Sequence, residues 1–139
     1  MKNSALIERI KLCGGRITKT RKTVLDFLST KNNPVSGAEI LSFFHKNKNL
    51  LVNRSTIYRE LKFLTAHNFI REVKLIKAPS LYELAHDHCH HLICLNCNQV
   101  QTIKMDNHLH QEEKNIFKKE KFQVTGHSLE FYGLCKKCR

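Results

Sequence analysis

Along the first half of the chain, apolar residues return every three or four positions. Leu6, Ile7, Ile10 and Cys13 form the first such run, and Gly14-Gly15 ends it. Thr18 is placed to cap a second helix carrying Val24, Leu25, Phe27 and Leu28. The stretch Lys31-Asn32-Asn33-Pro34 breaks that helix. Ser36, followed three residues later by Glu39, is a capping box for a third helix with Ile40, Leu41, Phe43 and Phe44. Asn53 or Ser55 opens a fourth, with Ile57, Leu61, Phe63 and Leu64 facing inward.

The rhythm then changes. Phe69 to Val73 with Leu75-Ile76 reads as one strand, Ala78-Pro79-Ser80 as a turn, and Leu81 to Leu84 as a second strand. A β-hairpin directly after consecutive helices is the pattern of a winged helix-turn-helix. His91 to Cys94 and Val100 to Ile103 read as two further strands. Residues 106–120 read as a helix and 122–134 as a last strand with a break at Gly126. The expected fold is α+β, with a winged-helix domain over 1–84 and a small α/β domain over 85–139.

Charge sharpens this division. Of the net +12, residues 1–84 carry +10, from 16 basic against 6 acidic residues, whereas residues 85–139 carry only +2. The first part is built to meet a polyanion. No apolar run is long enough to span a bilayer, and the first residues lack the apolar core of a signal peptide. Hydrophobic residues at 41% mark a globular chain. Six cysteines with seven histidines in the second half favour metal binding by reduced thiols, and a cytoplasmic location, over a disulfide framework.

The chemistry concentrates there. Cys94-x-x-Cys97 and Cys135-x-x-Cys138 are two pairs at the spacing that places four thiolates on one structural zinc. A thioredoxin-like redox role would need a βαβ setting that neither pair has. Just upstream, side chains alternate along a strand. His88 and His90 share one face, while Cys89 and His91 share the other. His110 and His127 are candidates to join His88 and His90 in a regulatory site, and Glu83 to join Cys89 and His91. His45, His67 and His108 read as ordinary surface or core residues. His86 and Asp87 are left open, and Cys13 is most simply a buried helix residue.

For DNA, the candidate reading helix is Arg54-Ser55-Thr56-Ile57-Tyr58-Arg59-Glu60-Leu61. The second helix of a helix-turn-helix enters the major groove. Arg54, Ser55, Tyr58 and Arg59 form its polar face, and Thr56 serves packing or a phosphate. Arg16, Lys19 and Arg21 are candidates for backbone or minor-groove contacts, with solvated side chains as the equal alternative.

Taken together, these residues resemble the ferric uptake regulator family of metal-sensing repressors, over nearly the whole chain. The marks are His88-x-His90-His91-Leu92-Ile93-Cys94-x-x-Cys97 and His127-Ser128-Leu129-x-Phe131-Tyr132-Gly133-Leu134-Cys135-x-x-Cys138. Thr56-Ile57-Tyr58-Arg59-x-Leu61 is similar to the family's recognition helix, and Gly15-Arg16-Ile17-Thr18-x-Thr20-Arg21 to its N-terminal signature. The resemblance implies a homodimer in which residues 85–139 dimerise. It implies that metal at the hinge closes two winged helices onto a palindromic operator. The chain departs from the family pattern at that hinge. Asn33-Pro34-Val35 offers no histidine, and Cys89 stands where the first hinge histidine is usual. Gln101 or Thr102 replaces an expected acid, and Asn98 a glycine.

The expected function is a dimeric, metal-responsive DNA-binding repressor. Its thiolate and imidazole donors lean toward zinc as the sensed metal over iron, manganese or peroxide. The competing readings are a zinc-ribbon nucleic-acid module without metal sensing, and a zinc hydrolase with Glu83 as its base.

Overall fold

The computed structural model of the chain describes residues 4–47, 50–85, 89–106 and 109–139. His86, Asp87, His88 and His108 therefore lie outside the described residues. The chain divides into two compact units, Met1–Ala85 and His86–Arg139.

The first unit contains α1 (Ser4–Leu12), α2 (Lys19–Ser29), β1 (Val35–Ser36), α3 (Gly37–Lys46), α4 (Arg54–Ala66), β2 (Ile70–Val73) and β3 (Leu81–Leu84). Local chemistry sets the helix starts. Thr18 Oγ1 accepts the Arg21 N–H at 3.0 Å and opens α2. Ser36 and Glu39 close a reciprocal capping box on α3, with bonds of 3.1 and 2.8 Å. Asn53 Oδ1 accepts the Thr56 N–H at 2.9 Å and opens α4. Each cap contributes about 0.5–2 kcal/mol. Gly14, at φ 78°, supplies the left-handed turn that ends α1.

The apolar stripes of the four helices meet in one core. Ile10, Val24, Ile40, Phe44, Ile57 and Leu64 are fully buried there. Full burial of such a side chain contributes roughly 1.5–3 kcal/mol. The three strands form an antiparallel sheet in the order β1-β3-β2, with Val35 opposite Tyr82 and Ile70 opposite Leu84. Leu75 and Ile76 do not extend β2. They lie in the connection to β3, where Ile76 is exposed.

The second unit contains β4 (His90–Cys94), β5 (Val100–Ile103), α5 (His110–Glu120) and β6 (Glu130–Gly133). Its sheet runs β5-β4-β6, antiparallel between β4 and β5 and parallel between β4 and β6. Leu109 adopts a left-handed conformation, φ 54°, immediately before α5, so the helix starts at His110 rather than at 106. The last strand is also shorter than the expected 122–134. Its pairing partner β4 is five residues long, and only Glu130–Gly133 lies alongside it. No described helix is long and apolar enough to cross a membrane.

Candidate metal centres and nucleic-acid interface

The four cysteines converge. Cys94 ends β4, Cys97 sits on the turn toward β5, and Cys135 and Cys138 follow β6. Their sulfurs all lie within 4.8 Å of one another, which fits a structural zinc site. The turn is held by the Asn98 N–H on the Cys94 carbonyl at 2.9 Å, with Asn98 at φ 58°. Asparagine tolerates that left-handed conformation, so it can stand where the family has glycine.

Backbone dipoles prepare this site for a cation. The N–H groups of Cys97 and Cys135 bring the Cys94 thiol down to about 6, and the Cys135 N–H lies 3.3 Å from Cys94 Sγ. The Gln99 N–H is the largest single influence on Cys97 and pulls it the same way, but the neighbouring Cys94 sulfur, burial and the Cys135 and Cys138 sulfurs together outweigh it and drive Cys97 up to about 11. Metal binding must therefore release protons, and zinc affinity falls as pH falls.

A second set of side chains meets elsewhere in this unit. The rings of His90 and His127 stack at 5.7 Å between centroids, and His90 is buried. From α5, Glu113 meets His127. With His127 Nδ1 protonated, that nitrogen donates to Glu113 Oε1 at 2.8 Å. This tautomer leaves the Nε2 lone pair of a neutral ring as the one able to ligate. His110 is largely exposed, with Nδ1 3.6 Å from Glu113 Oε2. The hydrogen bond from His127 is the main reason the Glu113 carboxyl lies below its ordinary value, and His110 acts in the same direction. A carboxylate so lowered favours the fold once ionised, and that contribution is lost as pH falls through the lowered value.

The sequence offers His110 from this helix, whereas the structure sets Glu113 against His127. The missed signal was their spacing: three residues apart, they share a face of α5. His88, the fourth proposed member, lies outside the described residues. The other trio can be placed only residue by residue. Glu83 is on β3, opposite Arg71 and 3.8 Å from its Nη1. Cys89 is half-buried just before β4, and His91 is buried on β4 opposite Thr102.

On the first unit, α4 exposes Arg54, Ser55 and Arg59. The Arg54 guanidinium lies 5.3 Å from the centre of the Tyr58 ring. The half-buried Tyr58 is also seated on the start of α3, since a Cβ at Gly37 would come within 2.7 Å of its hydroxyl. Ser55 and Thr56 direct their hydroxyl protons to Asn53 Oδ1, each at 2.8 Å, which makes them part of the cap. Arg16 and Lys19 are exposed.

Two expectations need correction. Arg21 is not a free surface cation. It is buried, its Nε donates to Glu60 at 2.7 Å, its Nη1 donates to the Arg16 carbonyl at 2.6 Å, and its guanidinium covers the Phe63 ring at 3.7 Å. Cys13 is exposed rather than buried, because α1 ends one residue earlier.

A winged helix with a basic reading helix, followed by a unit with a four-thiol zinc site and a histidine–carboxylate group, defines a metal-binding transcription regulator. The model of the ferric uptake regulator family matches residues 13–132, and the chain belongs to that family. It is 29% identical over 133 residues to the ferric uptake regulation protein of Legionella pneumophila, covering 95% of this chain and 97% of that one. It is 27% identical over 133 residues to the peroxide operon regulator of Bacillus subtilis, covering 95% and 90%. Among solved structures, the Helicobacter pylori ferric uptake regulator, described as having three functional metal-binding sites, matches with a TM-score of 0.77 and 28% identity over 96% of this chain and 89% of that one. Members of the family regulate transcription and are not enzymes, so the hydrolase reading is set aside.

Proposed function

We propose that this chain is a homodimeric repressor that reads a palindromic DNA operator through α4, and that zinc is the metal it senses. The observation that carries the metal response is His127, stacked on His90 and bonded to Glu113, apart from the four cysteines. A structural zinc alone would not call for a second set of donors. Bound there, a divalent cation would supply positive charge and a cross-link between β4, α5 and the segment before β6. Such a cation favours DNA binding to the extent that it binds the DNA-competent form more tightly.

Arg54, Tyr58 and Arg59 read the bases, and Arg16 and Lys19 hold the phosphates. A second copy of the chain is the natural cover for the second unit. Its helix α5 has no buried residue, and Phe117, Phe122, Phe131 and Tyr132 are exposed.

Zinc is favoured by the imidazoles and by Cys89, a soft donor where the family has histidine. Glu113 supports a second reading, because a carboxylate also suits iron(II) and manganese(II). The deciding experiment keeps the structural zinc in place and titrates the protein with zinc, iron(II) or manganese(II) at buffered free concentrations. DNA binding is read by fluorescence anisotropy on a duplex enriched from a random-sequence library. Activation by zinc at cellular free concentrations is expected. Activation by iron(II) or manganese(II) alone would overturn the zinc assignment and leave the rest of the reading standing.

A further inference from the structure

One guanidinium joins three segments of the first unit. Arg21 stands on the first turn of α2. Its Nε and Nη2 donate to the two carboxylate oxygens of Glu60 on α4, at 2.7 and 3.3 Å. Its Nη1 donates to the carbonyl of Arg16, in the loop between α1 and α2, at 2.6 Å. Its flat face lies 3.7 Å from the centre of the Phe63 ring. The other atoms around that ring leave little freedom: a Cβ at Gly15 would come within 3.0 Å of Phe63 and 2.8 Å of Ile10. Both charged side chains are mostly buried, with 9% and 15% of their surface exposed.

The geometry points to Arg21 and Glu60 as positioning residues for DNA recognition. Resting on the DNA-binding reading above, we infer that this fork fixes α4 against the loop and helix start that carry Arg16 and Lys19. A bidentate guanidinium–carboxylate pair constrains angle as well as distance, unlike a point contact. Glu60 follows Arg59 directly on α4, so any rotation of the helix that moves Glu60 also moves Arg59. Arg16 is held through its backbone carbonyl, which leaves its charged end exposed for phosphate. The pair thus sets the spacing between base-reading and phosphate-holding side chains while touching neither base nor phosphate.

Charge makes the idea separable from its rivals. If only charge mattered, Glu60→Gln would strengthen DNA binding by removing an anion. A positioning role requires the opposite sign. The double variant Arg21→Met with Glu60→Met leaves net charge unchanged, and apolar replacement of a buried pair commonly preserves folding. Both variants are compared with the wild type as metal-loaded, full-length protein below their melting transitions. The probes are the library-enriched duplex and a scrambled duplex of equal length, across a salt series.

The expected result for both variants is a loss on the order of tenfold for the enriched duplex. For the double variant, binding to the scrambled duplex and the salt slope should stay at wild-type values. Wild-type affinity of the double variant for the enriched duplex would reduce the pair to a structural brace and overturn the inference. A parallel loss on both duplexes, with a salt slope shallower by about one, would make Arg21 a phosphate contact instead and overturn it equally. A wild type unable to distinguish the two duplexes would overturn the DNA-binding reading itself, and this inference with it.

Discussion

At the scale of single residues, the proposed second metal site turns on a choice that spacing alone leaves open. His110 and Glu113 lie on one face of the first turn of α5, so either can reach toward β4. The fold selects Glu113, whose carboxylate receives His127 at 2.8 Å, while His110 stays largely exposed. Removing a group that ligates or orients a ligand typically costs 10–100-fold in metal affinity. Glu113→Ala should therefore weaken binding of the second cation by about 10–100-fold, and His110→Ala should change it little. Calorimetric titration of protein that keeps its structural zinc measures both. The reverse ranking would restore His110 to the site. Asn98 teaches a related point. The position after Cys97 asks for a left-handed backbone, not for glycine as such, and asparagine meets that demand.

At the scale of elements, what could be read from sequence was what local chemistry decides. Thr18, Ser36 with Glu39, and Asn53 cap helices through bonds to residues three positions away, so their role is written beside them. The two-residue β1 is too short to carry a period, and it exists because β3 pairs with it, Val35 with Tyr82 and Ser36 with Leu81. The extent of β6 is likewise set by β4. From sequence Arg21 reads equally as a DNA contact or a solvated side chain, because charge in a sequence carries no direction. Glu60, 39 residues later, turns it inward. That inward turn ties α2 to α4 next to Arg59, which remains exposed. Arg59→Ala should cost on the order of 1–3 kcal/mol in affinity for the enriched duplex if it contacts a base. Binding to a scrambled duplex should fall far less. Equal losses on both would make it a phosphate contact.

At the scale of the whole molecule, two kinds of chemistry are kept on separate units. Residues 1–84 hold +10 of the +12 net charge, which suits salt-sensitive binding to phosphate. The second unit holds four thiols that fit one cation, and a histidine–carboxylate contact proposed above to take another. Its exposed aromatics suit pairing with a second copy. The two chemistries matter to each other only if the second cation changes the free energy of DNA binding. Couplings of this kind typically amount to 1–3 kcal/mol, or roughly 5–150-fold. The most direct measurement is the affinity of one protein sample for the enriched duplex, with the four-cysteine zinc retained throughout, before and after the second group is filled. A gain of roughly 5–150-fold on filling, absent in Glu113→Ala, is the predicted result. Equal affinity in both states, with the second group shown to be occupied, would contradict metal-responsive repression.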